Sequence, residues 1–173
     1  NVISFDPNFR GGGYLHTIQK SLGFRNGGDS LLIVPGDGGG PQVVQYQFDT
    51  SSGVMVETHS FFAPYDQSFR GGLRVSSGDI DGDGVPEALF LPGAGGGPQL
   101  TAVDMQTLET EASVWVGDPS DLSGATQFEP TGGTADTNLG VCFVVQYGEA
   151  TDGFAPTRLW TLAGVDVTPS LVP

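Results

Sequence analysis

The sequence repeats itself. Phe9-Arg10-Gly11-Gly12 returns as Phe69-Arg70-Gly71-Gly72, an offset of 60, and VPGDGGGPQVVQY at 34–46 returns as LPGAGGGPQLTAV at 91–103, with Pro35 matching Pro92 at an offset of 57. A chain whose segments recur at a fixed period folds as stacked copies of one supersecondary unit, each burying its apolar surface on its neighbours. A weaker third copy follows: Trp115-Val116-Gly117-Asp118-Pro119 stands where Phe62 to Asp66 stood, and Val141 to Val145 takes the place of Ala88 to Leu91. The 173 residues therefore form a single repeat domain of three units, approximately 1–60, 61–116 and 117–173, long enough to bury a core.

Each unit reads as four short strands. In the middle unit these are Gly72 to Ser77, Glu87 to Leu91, Gln99 to Asp104 and Glu111 to Val116. The second is a continuous apolar run, as in a strand buried on both faces, and the fourth alternates Ala112, Val114 and Val116 with Glu111, Ser113 and Trp115. Twenty-eight glycines and 12 prolines supply the turns. Tyr14 to Leu22 carries a helical spacing through Leu15, Ile18 and Leu22, but the repeat register places it on a first strand. Four strands joined by Gly/Pro/Asp turns describe a propeller-like blade. At the ends, Asn1 to Phe5 matches His59 to Phe62, the close of a fourth strand, whereas the chain finishes after Thr157 to Leu162, a third strand, with Val165 to Pro173 left over. The N-terminal segment is thus expected to be the strand that the last unit lacks, either closing the molecule or completing a neighbouring copy by strand addition. The expected fold is all-β: three four-stranded antiparallel propeller-like blades, fewer than the 4–8 of a closed propeller, open or completed by strand exchange with a neighbouring copy.

Residues 78–87, GDIDGDGVPE, join the first two strands of the middle unit. Asp79, Asp81 and Asp83 occupy positions 1, 3 and 5 of a loop, Gly84 is at position 6, and Glu87 is at position 9. Alternate spacing in a tight turn directs the carboxylates at one centre, Gly84 permits the reversal, and the Val85 carbonyl at position 7 adds an oxygen. Hard oxygen ligands in this number suit Ca²⁺ rather than Mg²⁺, which demands a stricter octahedron and retains its water. The loop has no His or Cys, which disfavours zinc and copper. It is not an EF-hand, because position 12 is Phe90 instead of a bidentate Glu and strands flank it. The corresponding stretches Gly23 to Ser30 and Gly133 to Asn138 hold one carboxylate each, so one strong site is expected.

This loop, followed by Leu91 to Pro98 and preceded by Tyr65 to Gly72, resembles the FG-GAP/VCBS-type repeats of large secreted and surface proteins of bacteria and of integrin α-subunit propellers. The middle unit matches over nearly its whole length, and the first unit matches in its two glycine-rich segments. The resemblance implies propeller-like blades with a calcium ion between the first two strands, held by Asp79, Asp81, Asp83, the Val85 carbonyl and Glu87. It also implies an extracellular or cell-surface location.

Charge and the remaining residues narrow the function. Twenty Asp+Glu against 6 Lys+Arg give a net charge of −14, which argues against nucleic acid and anionic membranes and favours cations. Lys20 is the sole lysine. No apolar stretch approaches the ~20 residues of a membrane span, and no signal peptide is visible. The chain opens on Asn1-Val2 without methionine, as a processed or excised chain would. Cys142, the single cysteine, lies in an apolar run and reads as a small core residue.

The GGGP tracts (Gly38 to Pro41, Gly95 to Pro98) lack a following Lys-Ser/Thr pair, which rules out a P-loop and leaves tight turns that let units approach closely. Arg10 and Arg70 are expected to pair with a carboxylate or cap carbonyls between blades, and Phe9 and Phe69 to join the core. His16 and His59 read as strand or surface positions, and acidic pairs such as Glu109 with Glu111 single out no acid/base couple. Trp115 and Trp160 suit outer-strand packing more than sugar stacking. No catalytic residue is expected. The reading is a non-enzymatic extracellular calcium-binding β-repeat protein, with a structural role in self-assembly (a homo-oligomer or polymer through strand edges, forming a filament, tube or surface layer) or a role in adhesion. The alternative is a lectin-like or integrin-like module that binds a glycan or protein ligand.

Overall fold

The computed structural model describes residues 5–18, 29–81, 83–120, 122, 124–130, 142–147 and 157–161. Among them are eleven strands and no helix, hence no helix long and apolar enough to cross a membrane. The first sheet is an antiparallel meander of β1 (Gly13–Ile18), β2 (Ser30–Pro35), β3 (Gln42–Asp49) and β4 (Val54–Phe62). The second repeats it with β5 (Leu73–Gly78), β6 (Glu87–Pro92), β7 (Gln99–Asp104) and β8 (Thr110–Trp115). A third sheet has β10 (Cys142–Tyr147) between β9 (Ala125–Pro130) and β11 (Thr157–Thr161). A fourth strand of that unit, the exchanged segment at Asn1 to Ser4, and the loops at 23–28 and 133–138 lie outside the described residues.

The repeat read from sequence is a repeat of geometry. Pairs Leu15↔Ile33 and Val75↔Phe90 are equivalent, and the register shift at Gln45/Tyr46 recurs at Ala102/Val103. Tyr14 to Ile18 is strand, as the register required; cross-strand pairing with β2 overrides the local helical spacing. In each unit an Asp side chain turns the chain before the first strand: Asp6 Oδ1 accepts the Asn8 N–H, Asp66 Oδ1 the Ser68 N–H, and Asp118 Oδ1 the Ser120 N–H. Asp118 therefore corresponds to Asp66, one residue away from the ungapped sequence match. Trp115 and Phe62 occupy equivalent places opposite Gln99 and Gln42, and the third turn is one residue shorter, with no counterpart of Tyr65.

β6 explains the core. Its six residues are all buried, with alternate side chains entering two layers. Ala88 and Phe90 pack with Leu73, Val103 and Met105 against Ile18, Leu32, Val34 and Val43 of the first sheet. Leu89 and Leu91 pack on the other face with Leu100, Ala102 and Val116. β5 touches β1 and β2, and β9 touches β5 and β6, so the middle sheet is flanked on both sides. The outer strand β4 is exposed along most of its length.

The glycine tracts are where neighbouring units meet. The Gly38 N–H donates to the Arg70 carbonyl at 2.8 Å, and the Gly72 N–H to the Gly39 carbonyl at 3.1 Å. One junction later, the Gly95 N–H donates to the Leu122 carbonyl at 2.8 Å. Gly72 has φ +70°, and a Cβ there would lie 2.5 Å from the Gly36 backbone, so both its conformation and its surroundings demand glycine.

Arg70 caps carbonyls, but those of its own turn: Nη1 donates to Gln67 O at 2.6 Å and Phe69 O at 2.7 Å, and Arg10 does the same to Pro7 O and Phe9 O. Phe69 packs at the edge of the first core layer, whereas Phe9 is half-buried against Phe5, outside that layer. His16 Nε2 meets Ser77 Oγ at 2.8 Å, tying β1 to β5, and His59 Nδ1 meets Gln45 Oε1 at 2.8 Å within the first sheet. Both histidines occupy strands, as expected.

Candidate metal centre

The loop 79–86 joins β5 to β6, and the pair Gly78↔Glu87 closes its base. Its conformation is written in its own side chains. The Asp83 N–H donates to Asp81 Oδ1 at 3.0 Å, the Val85 N–H to Asp83 Oδ1 at 2.7 Å, and the Gly84 N–H to Asp79 Oδ2 at 3.1 Å. These aspartate turns fold the loop inward, and Gly84 takes φ +90° to complete the reversal. At the base, Glu87 Oε2 accepts the Ile80 N–H at 2.6 Å.

One carboxylate oxygen from each of Asp79, Asp81 and Glu87 comes within 4.8 Å of the others. Oxygens that share a Ca²⁺ at about 2.3–2.6 Å can be no farther apart than about 5 Å, so the triad is spaced for one ion. Asp83 is outside this triad and exposed, with Oδ1 engaged by Val85; the Val85 residue itself is buried. Three of the four carboxylates expected from sequence are thus brought together.

Glu87 is the unusual member. Its side chain is fully buried, and Oε1 has no hydrogen-bond partner. Burial pushes its carboxyl up to about 7; the Ile80 N–H opposes the shift, and the charges of Glu111, Asp81 and Asp79 add to it. An ionised carboxylate buried with one oxygen unpartnered is costly, which makes Glu87 the group that most needs a cation or a proton.

Two further carboxylates, not singled out from sequence, stand on the other side of Glu87. Asp104 is paired with Glu87 across β6 and β7, and Glu111 is the second residue of β8, at the same end of the sheet. Oxygens of Glu87, Asp104 and Glu111 also lie within 4.8 Å of one another. Asp104 is buried, and its Oδ1 accepts the Gln106 N–H at 2.7 Å and the Thr107 N–H, shaping the β7–β8 turn. Glu111 is exposed, and its carboxyl is held above the usual range by partial desolvation and then by Asp81, Asp104 and Asp83. Among the described residues the one ion pair is Arg74 with Asp37 at 3.9 Å, and Glu87, Asp104 and Glu111 take part in none.

Comparison with protein-family models, curated proteins and solved structures found no match to this chain.

A second feature sits at the first junction. A groove of about 440 Å³ runs between the 5–9 turn and the 67–70 turn, lined by Phe5, Phe9, Phe62, Gln42, Gln67 and Arg70 among others. At the next junction the equivalent space beside Gly97 is occupied by Trp115, which lies 2.9 Å from where a Gly97 Cβ would stand.

Proposed function

We propose that this chain is a non-enzymatic, extracellular, calcium-stabilised β-repeat protein of the FG-GAP/VCBS type, whose sheets are propeller-like blades and whose role is structural self-assembly. The observation that carries the reading is the unpartnered, fully buried Glu87 oxygen beside Asp79 and Asp81, in a loop already folded around its own carboxylates. A Ca²⁺ ion there would be held by Asp79, Asp81 and Glu87, with Asp83 and the Val85 carbonyl as the further ligands expected from sequence. It would neutralise the clustered carboxylates and would clamp the β5–β6 hairpin.

Support for assembly comes from the open end of the repeat rather than from a strand edge. Gly72 and Gly124 are each pressed against the glycine tract of the preceding unit. Gly12, with the same positive φ, meets none of the described residues where that tract would lie. Among the described residues no backbone N–H meets the Arg10 carbonyl, the counterpart of the Arg70 carbonyl that receives Gly38. Leu15 is 65% exposed, whereas Val75 at the equivalent place packs against the first core layer. The end bearing Gly12 and Leu15 is suited to receive another such unit.

The test is light scattering behind size exclusion, in millimolar Ca²⁺ and then in chelator. Large particles that dissociate in chelator are the expected result. A monomer in both conditions overturns the assembly role. The second reading, a glycan-binding module, is favoured by the groove, which Phe5, Phe9 and Phe62 line beside Gln42, Gln67 and Arg70. Specific hits on a glycan array, abolished by Phe62→Ala, would decide for it.

A further inference from the structure

The five carboxylates at the end of the middle sheet do not form one cluster. Asp79 and Asp81 close up with Glu87, and Asp104 and Glu111 close up with Glu87, but the two sets share no other member. A single Ca²⁺ draws its oxygens to about 2.3–2.6 Å, so one ion can serve either triad and not all five groups. We propose that the site holds two divalent cations bridged by the Glu87 carboxylate, the second ion bound by Glu87, Asp104 and Glu111. This deepens the calcium reading above and rests on it.

Three observations carry the second ion. Glu87 is fully buried with Oε1 unpartnered, and a carboxylate whose Oε2 already takes the Ile80 N–H has its other oxygen left for metal. Asp104 is 5% exposed; its Oδ1 is committed to the Gln106 and Thr107 N–H groups, which fixes the side chain and leaves Oδ2 as a ligand atom on a rigid strand end. Glu111 comes from β8, so its approach to Glu87 depends on tertiary register and not on loop folding. Charge agrees: the second triad adds Asp104 and Glu111, two carboxylates with no ion pair among the described residues, and a second divalent cation offsets both. The chemistry is that of a hard, oxygen-seeking cation of Ca²⁺ size, since the donors are all carboxylates and no His or Cys is among them.

The experiment is a Ca²⁺ titration of the full chain, stripped with chelator, by isothermal calorimetry with native mass spectrometry as the count. The wild type is expected to take two ions at this end of the sheet. Glu111→Gln removes an exposed charge and should weaken one step by about tenfold or more while leaving the other intact, reducing the count to one at modest Ca²⁺. Asp81→Asn should weaken the opposite step. Asp104→Asn keeps the Oδ1 acceptor of the turn and should resemble Glu111→Gln. A single ion lost with Asp81→Asn but indifferent to Glu111→Gln and Asp104→Asn overturns the second site and leaves the first standing. No Ca²⁺ uptake at all overturns both.

Discussion

Replacing Glu87 by Gln separates the ion-free state from the ion-bound one by the sign of its effect. Burial holds the Glu87 carboxyl near 7 in the folded chain against an ordinary 4.5. The folded state therefore prefers the protonated form. Below the unfolded value both states carry the proton and there is no penalty. Between about pH 4.5 and 7 the unfolded chain ionises first, so ion-free stability falls as pH rises, and above 7 the full penalty stands. At 1.36 kcal/mol per unit this amounts to about 3 kcal/mol. Gln has no charge to desolvate, and its Oε1 can accept the Ile80 N–H while its amide donates towards the neighbouring carboxylates. In chelator at pH 8, Glu87→Gln should then be more stable than wild type by up to about 3 kcal/mol, or roughly 6–12 °C in Tm for a chain of this size.

In calcium the order changes. A ligand at a hundred times its Kd stabilises by about 2.7 kcal/mol, and a tenfold weaker site at the same concentration gives about 1.4 kcal/mol. Glu87→Gln should thus lose about half or more of the calcium-induced rise in Tm. The assay is differential scanning calorimetry of both proteins from pH 5 to pH 8, in chelator and in millimolar Ca²⁺. A variant that is less stable than wild type in chelator at pH 8 would refute the argument, and so would one that keeps the full calcium increment.

Other expectations follow from the same geometry. Gly72→Ala must accommodate a Cβ 2.5 Å from the Gly36 backbone at φ +70° and should cost about 3 kcal/mol, whereas Gly12→Ala meets none of the described residues and should cost about 1 kcal/mol from conformation alone; urea denaturation of the two variants measures the contrast. Phe90→Ala empties the layer between the first two sheets and should cost about 3–5 kcal/mol, while Phe48→Ala, at a position 55% exposed, should cost less than about 1 kcal/mol by the same measurement. Asp83→Asn keeps an acceptor for the Val85 N–H and lies outside both triads, so calorimetry should show a smaller loss of calcium affinity than for Asp81→Asn.

The parts legible in the sequence were those written by local order. β6 announced itself as an unbroken apolar run because both faces are buried, and the Asp79 loop because its carboxylates alternate within one turn. The junctions were legible in kind: the glycine tracts are close approaches between units, and the structure adds which carbonyls they meet. Asp104 and Glu111 were not legible, because their nearness to Glu87 arises from register across three strands rather than from spacing along one. Once the strands were assigned, the signal was an acidic residue at the same end of each of β6, β7 and β8. The third unit misled by one residue because Phe69, Arg70 and Gly71 are replaced there by Asp121, Leu122 and Ser123. What survives is Asp118, Ser120 and Gly124, the residues that make the turn and its positive φ.

The acidic end and the junctions are not independent features. The loop that gathers Asp79, Asp81 and Glu87 joins β5 to β6, and these two strands carry the contacts to both flanking sheets. β6 in particular sends Phe90 into one layer and Leu91 into the other. Charge repulsion at the base of this hairpin therefore loosens the strands on which both layers are built, and a cation that draws Glu87 towards Asp79 and Asp81 fixes them. A calcium effect confined to the loop would leave hydrogen exchange at Phe90 and Leu91 unchanged. If the hairpin transmits it, chelation should speed exchange at those amides and at Gly72, across the junction to the first sheet.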